Sequence, residues 1–96
     1  SGKIMAEYNN NIKDNKKTVP TWRFIQKTEF GECFHEIRKY PYYFVAVTNV
    51  SEDNNNEGCA FPNKFASYRE ALETLEHFRP GICLVSSPEG LVCEDA

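Results

Sequence analysis

Apolar positions recur along this chain with two different periods. Residues 3–13 place Ile4, Met5, Tyr8 and Ile12 at helical spacing, which predicts a short amphipathic helix. A polar run from Asn9 to Lys17 follows, closed by Val19-Pro20. "TWRFIQK" (21–27) then switches to period two: Trp22, Phe24 and, less cleanly, Gln26 alternate with Arg23, Ile25 and Lys27. That pattern predicts a strand with both faces partly covered. "YYFVAVTNV" (42–50), dense in aromatic and β-branched residues, predicts a second strand. Residues 28–41 between them carry two signals. Gly31 suggests a turn or bulge, whereas Cys33, His35 and Ile37 would share one strand face.

The composition of "SEDNNNEG" (51–58) is that of a solvated loop, and "CAFP" (59–62) is a short strand or the lead-in to a helix. Phe65, Tyr68, Leu72 and Leu75 recur at offsets of three and four, with Glu70, Glu73 and Glu76 opposite. Two starts fit this second helix. Ser67 and Glu70 form an S-x-x-E capping box that begins it at 67, and Pro62 in a first turn would begin it four or five residues earlier. Arg79-Pro80-Gly81 ends it. "ICLVSS-PEG-LVCED" then reads as two short strands around a turn. The order predicts an α+β domain with its helices gathered on one face of an antiparallel sheet.

Ninety-six residues, 41% hydrophobic and 26% charged, suit one folded globular domain rather than a disordered chain. Ser1-Gly2 reads as an expression scar, so the sequence is expected to be a piece of a longer protein. No apolar run is long enough to span a bilayer, and no membrane partner is expected. Cys33, Cys59, Cys83 and Cys93 show no C-x-x-C pair and sit in apolar contexts, as reduced thiols of a cytoplasmic or nuclear protein do. Charge is uneven: residues 1–27 hold six basic side chains against Glu7 and Asp14 (+4), and residues 28–96 hold five against twelve acidic (−7). A nucleic-acid binder normally presents a basic face, so this division weighs against one.

Three stretches together resemble the double-stranded-RNA-binding domain family. Met5-Ala6-Glu7-Tyr8 is similar to the family's first-helix "L-N-E-Y", and Pro20-Thr21-Trp22 to the "P-x-Y" that opens its first strand. Gly58 through Leu75 matches the spacing of "G-x-G-x-S-K-K-x-A-K-x-x-A-A-x-x-A-L". The resemblance covers residues 3–78. It implies an α-β-β-β-α order with both helices on one face of the sheet, a domain over residues 3–79, and residues 80–96 as a C-terminal extension forming a β-hairpin or extended tail.

The resemblance also implies where RNA would be held. Glu7 stands where the family reads ribose hydroxyls. Asn63, Lys64 and Ser67 stand at the three lysine positions that grip phosphate at a helix N-terminus, where the dipole and clustered cations act together. One charge of three remains there, and Lys13, with Lys16 and Lys17, would compensate from the loop after the first helix. The family's "G-P-x-H" loop has two rival counterparts, Gly31–His35 and Tyr40–Tyr43.

Other chemistry is thinly represented. Cys33 and His35, with Cys59 and His77, lack the closely paired spacing of structural zinc sites. No residue marks an orienting partner for a Cys/His nucleophile. The resemblance therefore implies a non-catalytic module without a cofactor, part of a larger RNA-processing or RNA-silencing protein, binding double-stranded RNA weakly by shape. The alternative is a degenerate relative that no longer binds RNA. It would instead contact a protein partner, or itself, through the sheet edge and the apolar tail of Ile82, Leu84, Val85, Leu91 and Val92.

Overall fold

A computed structural model describes residues 19–53 and 55–88. Five strands and one helix follow in the order β1 (Thr21–Thr28), β2 (Gly31–Lys39), β3 (Phe44–Val50), β4 (Cys59–Ala60), α1 (Tyr68–Phe78) and β5 (Cys83–Ser86). The strands form one antiparallel sheet in the spatial order β4-β3-β2-β1-β5.

The β1–β2 register pairs Trp22 with Ile37 and Phe24 with His35, so these four share the face beneath α1. Ile37 pairs onward with Ala46 of β3, and Phe44 extends the same face. Tyr68, Ala71 and Leu75, the buried stripe of α1, close over these side chains together with Phe65. Trp22 anchors the packing, its ring 4.7 Å from Tyr68 and 6.0 Å from Phe44. Glu29 and Phe30 turn the chain between β1 and β2. Both keep negative φ, and the positive φ the turn requires falls on Gly31 (+128°). The Thr28 hydroxyl accepts from the Phe30 amide (3.1 Å) and donates to the Gly31 carbonyl (2.9 Å), fixing that turn.

The opposite face combines buried charge with the buried side chains of Val47 and Val50. Glu36 accepts from Arg23 (Nη1–Oε2 3.1 Å) and from Arg38 (Nη2–Oε1 2.8 Å, Nε–Oε1 3.0 Å), and all three side chains are largely withdrawn from water. Arg23 also donates to the Ser51 carbonyl, which ties the 51–58 loop to this face. Beyond the loop, Gly58 passes against Val47 and the Thr48–Val50 backbone at φ +76°.

The expected α-β-β-β-α arrangement is corrected here. The described residues run β-β-β-β-α-β, a mostly-sheet fold with one short helix. The first helix expected over residues 3–13 lies outside them. Residues 28–41 are a tight turn and a full strand, because Gly31 takes the positive φ that an immediate hairpin needs. The helix starts at Tyr68, after its Ser67 cap, and not near Pro62. Residues 63–66 are unavailable to it, because Phe65 exchanges both backbone hydrogen bonds with Phe44 (2.8 and 2.9 Å) in a strand-like bridge. Of the expected C-terminal hairpin the described residues include one strand, β5, which lies along the otherwise open side of β1. Leu91 and Val92 lie outside the described residues.

Gly58 and Gly81 separate two costs of adding a side chain. Both have positive φ, yet a Cβ on Gly58 would collide with the Thr48 carbonyl, whereas one on Gly81 meets nothing within 4 Å. Gly81→Ala is expected to cost about 1 kcal/mol, the left-handed backbone term alone. Gly58→Ala should cost more than about 2 kcal/mol. Urea denaturation of the two variants measures both, and equal costs would refute the steric account.

Candidate functional site

Three of the five residues expected to contact RNA fall on the stretch entering α1. Asn63 and Lys64 are exposed, and the Lys64 ammonium lies 5.2 Å from the Tyr43 ring centroid. Tyr43 in turn packs against Tyr40 (5.5 Å), and Tyr42 beside them is almost wholly exposed. The structure therefore puts Tyr40–Tyr43 next to Lys64, while Gly31 begins β2 at its far end. Glu7 and Lys13 lie outside the described residues.

Ser67 is committed to its own helix. Its hydroxyl accepts from the Glu70 amide (3.2 Å), and the Glu70 carboxylate reaches back to accept from the Ala66 amide (3.3 Å). The first bond is the cap that S-x-x-E signals, while the return bond falls on the residue before the cap. It has an electrostatic consequence: the positive end of the helix dipole already holds a carboxylate where a phosphate would have to sit.

The zinc arrangement does not assemble. No group of three or more His, Cys, Asp or Glu able to hold a metal occurs among the described residues. His35, one of its members, is a core residue, buried completely beneath the C-terminal turn of α1. Its Nδ1 accepts from the Asn49 amide (3.1 Å), so the proton resides on Nε2, which donates to Gln26 Oε1 (2.9 Å). The Gln26 amide then donates to the Pro80 carbonyl (3.2 Å). The chain Asn49–His35–Gln26–Pro80 links β3, β2 and β1 to the turn that launches β5. Asn49 adopts a left-handed φ of 60° to aim its amide at the ring, beside the irregularity in β2–β3 pairing.

That turn leads to the most unusual surface of the fold. Ile82 packs against the core, Gly81 (φ +81°) reverses the chain, and Cys83–Ser86 pair with β1 on one side only. All four residues of β5 are exposed. Leu84 shares the helix side with its partner Phe24, and Val85 is the extra residue of a register shift between the Phe24–Leu84 and Arg23–Ser86 pairs; 53% and 54% of their surfaces remain open to water. The strand contains no charge and no proline, and among the described residues no strand pairs with its outer side. The opposite edge differs: β4 is two residues long, Pro62 follows it closely, and the Phe65 bridge occupies β3 beyond it. Sheet edges in water are ordinarily blunted by such devices; β5 is twice as long as β4, carries a register shift at Val85, and is followed at the same distance by Pro88. Among the described residues, no helix is long and apolar enough to cross a membrane.

Burial lowers the His35 pKa to about 4, with the nearby Arg79 charge acting in the same direction. The unfolded chain takes up this proton below its ordinary pKa of about 6.5 and the folded chain only below about 4, so stability is full above that window and falls as pH drops through it. The loss should reach about 3 kcal/mol. Urea midpoints between pH 7 and pH 4 test this expectation: His35→Gln, which lacks the titrating ring, should show a markedly shallower fall than the parent chain. No protein family, no curated protein and no solved structure matches this chain.

Proposed function

We propose that this domain is a non-catalytic interaction module that docks a protein segment in extended conformation along β5. The observation that supports the reading is a four-residue uncharged strand, paired on one side only among the described residues and exposed along its whole length. Unpaired backbone groups supply affinity in such strand addition, and Leu84 and Val85 supply apolar contacts. Cys33, Cys59 and Cys83 are free thiols, which suits a reducing compartment, the cytoplasm or nucleus. An uncharged alternating Val–Thr hexapeptide is a suitable probe. Its amide-resolved NMR perturbations should fall on Ile82–Ser87, and Val85→Pro should abolish them while leaving the α1 resonances in place. Perturbations centred elsewhere, or none, would count against the reading.

A second reading retains double-stranded RNA as a weak ligand held at the end of the sheet near α1. It is favoured by the grouping of exposed Asn63, Lys64 and Tyr42 with Lys39, whose ammonium lies 5.2 Å from the Phe44 ring centroid. It ranks second because Glu70 holds the helix N-terminus and, among the described residues, only Lys39 and Lys64 are gathered there. In titrations with a duplex of about 16 base pairs, Lys64→Ala should weaken binding and flatten the salt slope by about one unit. Glu70→Gln, which keeps the cap and removes the charge, should strengthen it. A chain indifferent to both changes does not bind RNA at this end.

A further inference from the structure

We draw no further inference here: the strongest candidate, the exposed apolar patch of Leu84 and Val85 on β5, belongs to the docking edge already described, and nothing in the structure shows which partner covers it.

Discussion

Among the described residues, one helix shelters a sheet wider than itself. With its side chains α1 is about 10 Å across, and its eleven residues reach about 16 Å; the outer strands of a five-stranded sheet stand about 19 Å apart. The helix therefore covers β2 and β3, and the flanking strands must be sealed by other means. On the β4 side, Phe61 packs against Phe78 and the Phe65 bridge occupies the edge of β3. On the β1 side, Trp22 and Phe24 reach inward under Tyr68 with Leu72 and Ile82 beside them, and nothing of the helix remains for β5. The exposure of Leu84 follows from this limit on coverage.

The far end of the helix is held by polar contacts where apolar ones run out. His35 occupies a position that period-two alternation assigns to the core, and a ring with two nitrogens can enter a core only if both are satisfied. Asn49 and Gln26 satisfy them, and Gln26 passes the connection to Pro80. The same contacts that make the histidine tolerable set the point from which β5 departs. Acid that protonates His35 would thus disturb the origin of the exposed strand as well as the core. Stability and presentation of the edge are coupled through one side chain.

Much of this was legible in the residues. The alternation of Trp22 and Phe24, the aromatic and β-branched run at 44–50, the Ser67–Glu70 cap and the Arg79–Gly81 stop all act through local geometry, and the structure places strands and helix at these positions. What the residues did not disclose is non-local. β2 alternates Cys33, His35 and Ile37 against Glu36 and Arg38, and its charged face reads as solvent although partners across the sheet neutralise it. Phe65 looks helical by spacing until Phe44 claims its backbone. β5 reads as half of a hairpin with its own neighbours; only the open flank of β1 explains why it docks there. At the candidate site, the uncharged run 82–86 was visible as an apolar surplus, while its exposure depended on how little the helix covers.

The Arg23–Glu36–Arg38 group bears on the same edge through register. Withdrawing three charges from water is costly, and their mutual attraction does little more than offset it, so net stabilisation is a poor account of their presence. Pairing errors provide a better one. A one-residue slip of β1 against β2 is already forbidden, because it would turn Trp22 and Phe24 out of the core. A two-residue slip keeps every side chain on its own face, and apolar patterning alone does not exclude it. In one direction that slip places Arg23 opposite Arg38, and in the other it places Arg23 opposite Phe34 and deprives Glu36 of its cross-strand cation. The ionic group thus removes the errors that the core tolerates. Because β5 is templated on β1 through Phe24 and Ile25, a register fixed by buried charge on one face determines which two apolar side chains the outer strand presents.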